Sequence, residues 1–367
     1  MRVTIRLFAR LRDIAGAAEL TREVEAGATI GTVWAQLVRE RGWEVMSHGL
    51  YNTHYLGLMD EAQERADADH VTGRRVAKPV IVRLGARKPG ADPATDEIVM
   101  IESRTMLTSR TWQASRLHLV LSAAAHHAQE LERLRFTVHR REALSVAAGL
   151  KQIMSESPST EVWATEPRSR PLRNTLRRLN VQLVPDDSFV TPREFFDSWS
   201  AHKLPLMESF YRQQRTRLNV LMDGSEPLGG RWNFDADNRL PPPKNHKWPK
   251  YDRFETDGID EEVAKDLADF DYWGEKKIGN WATTRKGALA RLKSFIANSL
   301  EDFGPYEDAM TNDSWTLNHS VISPYLNNGL LHASEVIQEV VTAYKKHGLA
   351  LNSVEGFIRQ VIGWREY

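Results

Sequence analysis

Eleven tryptophans in 367 residues, and three polar strings, hold the side chains that could do chemistry. The strings are GGRWNFDADNRLPPPK (229–244), NHSVISPYLNNGLL (318–331) and LNSVEGFIRQVIGWREY (351–367). Indoles at this density serve either large cores or a site that stacks planar groups and passes electrons. Ser323-Pro324 reads as a helix start, where hydroxyls and backbone N–H groups suit a pyrophosphate. Gln360 and Trp364 are four apart, hence on one helix face. Asp235, Asp237 and Asn238 resemble a calcium-loop fragment, but the twelve-residue loop with its terminal Glu is missing, so the string reads as a domain connector. Arg212, Arg215 and Arg217, and separately Arg168, Arg170, Arg173, Arg177 and Arg178, form basic clusters that either meet phosphates or face solvent. His48, His54 and His70 lack metal-ligand spacing. His126 and His127 read as structural, and no metal site is assigned. The cysteine count is zero, which excludes disulfides, thiolate catalysis and any Cys-ligated zinc or iron–sulfur cluster within this chain.

The bulk composition bounds the rest. The chain is 41% apolar and 27% charged, with zero formal net charge. That fits a soluble globular protein of two or three domains and places any nucleic-acid surface in a local patch. With no secretory leader and no run of 18 apolar residues, a cytoplasmic location is expected.

These side chains must be positioned by a changing series of elements. Residues 1–43 read as strand, strand, helix: Val3, Ile5 and Leu7 alternate, Leu20, Arg22 and Val24 share a second strand face, and Ile30, Val33, Trp34, Leu37 and Val38 form a helical stripe. That order opens a partial β-grasp-like segment. Residues 44–78 read as a linker. From 79 to 200, Val/Ile runs such as PVIVRLG and DEIVMIES alternate with helices such as SRLHLVLSAAAHHAQELERLR. This predicts an α/β domain with a doubly wound parallel sheet. No G-x-G-x-x-G follows its first strand. Strands are expected to cease after Phe189. Residues 201–254 form a connector with a Pro-rich basic end, and 255–367 an all-α domain. Its last helix carries Val354, Phe357, Ile358, Val361, Ile362 and Arg365 at spacings of three and four. No Gly, Asn or Pro stops it, so the helical domain reads as incomplete, its apolar face left open.

Two resemblances sharpen this reading. VTIRLFARLRDIAG resembles the ubiquitin-like small subunit of molybdopterin synthase, a sulfur carrier, but the Gly-Gly end which that chemistry needs does not follow. The connector string, FGPYEDAM (303–310), NHSVISPYLNNGLL and LNSVEGFIRQVIGWREY, in that order, resemble the photolyase/cryptochrome family. They are most similar to its bacterial branch, which carries an iron–sulfur cluster and repairs (6-4) lesions. The resemblance covers about residues 79–367. It implies an α/β antenna-type domain (79–200) and a helical FAD-binding domain (255–367), truncated here partway. It implies blue-light-driven electron transfer from reduced FAD to pyrimidine photoproducts in damaged DNA, by a monomer. His319, Ser320, Ile322 and Ser323 fall on the family's flavin-phosphate segment, and Arg359 and Gln360 on a helix lining the flavin. Tyr306, Trp364 and Arg365 are the implied catalytic residues, Arg212 and Arg215 the candidate DNA contacts. An antenna lumazine is in question, because the usual opening strand-turn is altered to RLGARKPG. The alternatives are a non-catalytic, light-sensing or binding remnant of that family and a sulfur-carrier fusion.

Overall fold

The computed structural model describes residues 2–6, 19–24, 80–84 and 92–367, the last range without 159, 202–204, 252, 271 and 276. The predicted helix near residues 30–38 and the linker 44–78 lie outside the described residues. Two compact units emerge, Met1–Asn52 and Thr53–Tyr367.

In the first unit, β1 (Arg2–Arg6) pairs antiparallel with β2 (Glu19–Glu23), Ile5 opposite Leu20. Leu20, Arg22 and Val24 are half-buried while Thr21 and Glu23 are exposed, the alternation a two-faced strand requires.

In the second unit, β3 (Val80–Leu84), β4 (Glu97–Ser103), α1 (Ala114–Arg133), β5 (Thr137–Ala143), α2 (Val146–Glu156), β6 (Val162–Thr165), α3 (Arg170–Arg178) and β7 (Gln182–Val184) follow in order. The strands form one sheet, ordered β5-β4-β3-β6-β7. Strand β4 is buried on both faces, Ile98 and Met100 against α1, and Val99 and Ile101 against α2 and α3. The sheet is therefore wound on both sides, as the unbroken apolar run predicts.

It is not wholly parallel. β4 and β5 are parallel, as are β6 and β7, but β3 runs antiparallel to both β4 and β6. The connection enters β4 through a tight turn where Asp92 Oδ1 accepts from Ala94 N and the Asp92 carbonyl accepts from Asp96 N at 2.8 Å. An antiparallel neighbour needs no crossover connection.

Strands also do not cease after Phe189. Met222–Asp223 pairs with Glu226–Pro227, and Tyr272–Trp273 pairs in parallel with Trp112–Gln113. The remaining elements are helices: α4 (Arg193–Ser200), α5 (Met207–Leu218), α6 (Gly258–Asp266), α7 (Arg285–Asn298), α8 (Ser323–Asn328), α9 (Ala333–His347) and α10 (Leu351–Ile358). Their boundaries have local causes. The side chain of Glu335 accepts from His332 N at 2.6 Å to close a capping box on α9, and Gly348, at φ 65°, ends that helix. No described helix is long and apolar enough to cross a membrane.

The largest core lies among these helices. The stripe of the last helix joins it: Val354, Phe357, Ile358, Val361 and Ile362 are all buried, with Met207 and Tyr211 of α5 and Val336, Ile337 and Val340 of α9 in the same cluster. The expectation of an open apolar face on this helix is thus overturned, because α5 and α9 of this chain cover it. Beyond the stripe, Ser353, Glu355 and Gly356 are buried too, so the helix is enclosed on its polar side as well.

Candidate functional site

The last helix and the connector string are stitched together by buried polar groups. After Ile358 the chain widens into a π-helical turn, Arg359–Trp364, a feature that often re-aims side chains at functional sites. Arg359, mostly buried, donates through Nη1 to Asp235 Oδ1 at 2.9 Å and places Nη2 3.7 Å from Glu208. Burial alone would raise the Asp235 carboxyl, but bonds from Arg239 and Arg359 hold it below its ordinary range. Asn233 donates to Glu208 at 2.8 Å, Phe234 N to Glu355 Oε2 at 3.0 Å, and the Tyr211 hydroxyl to Glu355 Oε1 at 2.5 Å. Burial nevertheless pushes the Glu355 carboxyl up, against these donors and the nearby Arg215 and Arg359. Asn238 Nδ2 donates to the Asn352 carbonyl at 3.1 Å, and Asn352 Nδ2 donates back to Asn238 Oδ1 at 3.0 Å. Within RWNFDADNR, Arg231 pairs with Asp237 and Arg239 with Asp235, and Arg359 gives Asp235 its second partner.

FGPYEDAM fits under the same helix through a close backbone approach. Gly304 N donates to Ser353 Oγ at 2.9 Å, and Ser353 Oγ donates on to the Glu301 carbonyl at 2.6 Å. A Cβ on Gly304 would lie 2.8 Å from both Cα and N of Ser353. Because the obstruction is backbone, Gly304→Ala is expected to lower stability by about 2–3 kcal/mol, read as a lower urea midpoint at unchanged slope.

The segment 314–322 is held in an unusual shape. Leu317 (φ 47°) and Val321 (φ 55°) both sit in the left-handed region, which a β-branched side chain resists. Pins hold it: Thr316 Oγ1 to the Pro249 carbonyl at 3.4 Å, Asn318 Nδ2 to the Asp302 carbonyl at 3.2 Å, and the Tyr251 hydroxyl to the His319 carbonyl at 2.7 Å. His319 Nε2 lies 3.1 Å from the Glu307 carbonyl, so that nitrogen carries the proton. Burial holds the imidazole below its usual range, hence neutral. His319 thus anchors the segment from inside, and offers no positive charge to a phosphate. Ile322 is buried at the start of α8 and has a core role. Ser320, Ser323 and Gln360 differ: each is half-buried, and none of their side chains has a hydrogen-bond partner among the described residues.

The three implied catalytic residues are not brought together as one set. Tyr306 stacks edge-on with Trp248 at 5.5 Å and lies 5.8 Å from His246, in a small separate core. Trp364 packs against the main helical core. Arg365 donates to Glu366 at 2.6 Å and to the Ser188 carbonyl at 3.0 Å, and its guanidinium lies 4.0 Å from the Phe189 ring centroid. Arg168 lies at the same distance from that ring. Arg365 is therefore a clamp between the last helix and the segment after β7. Of the DNA candidates, Arg212 is half-exposed and pairs with Glu208 at 3.0 Å. Arg215 is fully buried and donates to the carbonyls of Val220, Leu221, Arg231 and Trp232. It reaches no surface, so its assignment to DNA is corrected.

Comparison with known proteins decides the family. The family described as deoxyribodipyrimidine photo-lyase-related protein matches residues 85–283. The chain belongs to that family. A (6-4) photolyase of Agrobacterium fabrum is 35% identical over 293 residues, which is 76% of this chain and 58% of the relative. An uncharacterized protein of Acanthamoeba polyphaga mimivirus is 49% identical over 63 residues, 17% of this chain and 48% of the relative. The chain thus spans about half the length of the curated relatives it matches. As a photolyase-related protein it carries the mixed α/β layer and helical layer described above, and the family match runs from the start of the one into the other.

Proposed function

We propose that this chain is a photolyase-related flavoprotein that binds FAD and acts on pyrimidine photoproducts in damaged DNA. The observation that carries this reading is the 35% identity to a (6-4) photolyase over 293 residues. The residues present suit the cofactor in part: Ser320, Ser323 and Gln360 are half-buried polar side chains left without partners among the described residues, as a ligand's polar edge requires. They would hold FAD, which when bound supplies light-driven one-electron chemistry. The protein's own work is positional. The strained 317–321 backbone, fixed by His319, Asn318 and Tyr251, presents Ser320 and Ser323. The Arg359–Asp235–Glu208 group sets the pitch of the turn that carries Gln360 and Trp364, and Trp364 offers an indole face to a planar group. Arg212 remains the phosphate contact of choice. The monomeric state and the division into antenna-type and flavin domains belong to the same proposal.

The test is FAD titration of the purified chain, followed by illumination with an oligonucleotide that holds a single (6-4) photoproduct. FAD uptake with light-dependent loss of the lesion is expected. The double change Ser320→Ala and Gln360→Ala is expected to weaken FAD binding about tenfold or more, with thermal unfolding unchanged. Retention of FAD without repair gives the non-catalytic, light-sensing reading; failure to take up FAD at any concentration overturns both.

A further inference from the structure

We propose that His126, Asp257 and Asp260 form a binding site for a divalent transition-metal ion, at the junction of α1 and α6. One nitrogen or oxygen from each lies within 4.8 Å of the others. Their remaining polar atoms are already committed elsewhere, which leaves one atom of each residue turned to the other two.

On α1, His118, Ser122 and His126 recur every four residues and share one face. His126 Nδ1 lies 2.9 Å from the Ser122 carbonyl, which can only accept, so Nδ1 carries the proton. Nε2 is the remaining atom, and it faces Asp257 Oδ2 at 3.0 Å. A second bond of this kind, from the far ring nitrogen to a carbonyl, is how metal-binding histidines are oriented. Across the junction, Asp257 and Asp260 form the capping box of α6. Asp257 Oδ1 accepts from Ile259 N at 3.0 Å and Asp260 N at 3.2 Å, and Asp260 Oδ2 accepts from Asp257 N at 3.3 Å. That leaves Asp257 Oδ2 and Asp260 Oδ1.

The independent observation is Asp260 Oδ1. The residue is 3% exposed, and this oxygen has no hydrogen-bond partner among the described residues. His118 does not serve it: its Nε2 lies 2.9 Å from the Asp260 carbonyl and 3.9 Å from Oδ1. A proton on His126 would satisfy Asp257 Oδ2 and leave Asp260 Oδ1 buried without a partner among the described residues, a costly arrangement. A divalent cation satisfies both carboxylates and the imidazole together. One nitrogen and two oxygens suit zinc or manganese, and the imidazole disfavours magnesium and calcium. Three protein ligands leave coordination positions for water. A cleft lined by Gln129, Glu132, Arg140, Glu262 and Asp266 lies between the same two helices. The bound ion would tie α1 of the sheet layer to α6 of the helical layer.

The experiment uses the whole chain, stripped with EDTA, titrated with ZnCl2 and separately with MnCl2. Uptake of a single ion with a raised thermal midpoint is expected, since only the folded state holds the three ligands together. Asp260→Asn and His126→Gln should each weaken binding by about 10–100-fold or more. His139→Gln, which removes a half-exposed imidazole paired with Glu97 at 2.8 Å, should leave it unchanged. A readout independent of variant folding is Co2+ uptake by the wild-type chain, with visible d–d bands that Zn2+ displaces. Absence of uptake of all three ions by the wild-type chain, or uptake that both variants retain undiminished, overturns the site and leaves a plain His126–Asp257 hydrogen bond in its place.

Discussion

Arg215→Met is expected to lower stability by about 3–5 kcal/mol, what two or more buried carbonyls left without a donor cost, and the thermal midpoint by roughly 10 °C. The guanidinium is fully buried, and it gathers four carbonyl oxygens from two chain turns: Val220 and Leu221 just past α5, Arg231 and Trp232 at the head of the connector. Removing it strands those carbonyls away from water, at about 1–3 kcal/mol for each one that finds no substitute. Lysine does not rescue, because one ammonium cannot span a planar set of four acceptors. Arg212→Ala, three residues earlier, should change stability by no more than about 0.5 kcal/mol, its partner Glu208 being a half-exposed neighbour one turn away. The pair separates two roles for one basic cluster. Should Arg215→Met fold normally and lose only DNA affinity, the buried assignment is wrong. Arg212→Ala is expected to do that instead, reducing the salt dependence of DNA binding by about one phosphate contact.

The burial of Arg215 is legible in the sequence once the apolar spacing is followed through it. Met207, Phe210, Tyr211 and Gln214 are buried at intervals of three and four, and 215 is the next position on that face. A charge at that position breaks the apolar pattern that usually marks burial. Elsewhere periodicity sufficed: the both-sided burial of β4 and the capped helices α6 and α9 follow from local residue order. What local order could not supply was strand direction, since an apolar run such as PVIVRLG pairs either way, and in the fold β3 lies antiparallel to β4 and β6. Nor could it supply junctions between distant segments. Asp235 meets Arg359 across 124 residues, and His126 meets Asp257 across 131. Ser320 was readable as a motif residue, but its lack of a partner is a property of the folded chain. The stripe on the last helix correctly announced burial; which surface buries it depends on how α5 and α9 pack, and no spacing rule states that.

A second large effect is expected from pH. Glu307 is buried beside the backbone of Gly356, and its side chain accepts from Asn238 at 3.4 Å. Burial, then the neighbouring charge of Asp308, pushes its carboxyl up to about 8; Asp235 and Glu355 add to this, and Arg359 opposes it. In the unfolded chain the same group ionises near its ordinary 4.5. Between these values the unfolded chain has released a proton that the folded chain keeps, so the unfolded state gains as pH rises. Stability should therefore be greatest at the acid end of this window, fall by up to about 5 kcal/mol through it, and level off above. Glu307→Gln keeps a neutral side chain of the same shape and should remove that slope, so that the variant exceeds the wild type by most of this amount above about pH 8. Urea unfolding of both chains at several pH values across the window measures it. Parallel curves would mean that Glu307 is ionised in the fold. Arg359 would then have to divide itself among Asp235, Glu208 and Glu307, and the turn that carries Gln360 and Trp364 would rest on a guanidinium shared by three carboxylates instead of two.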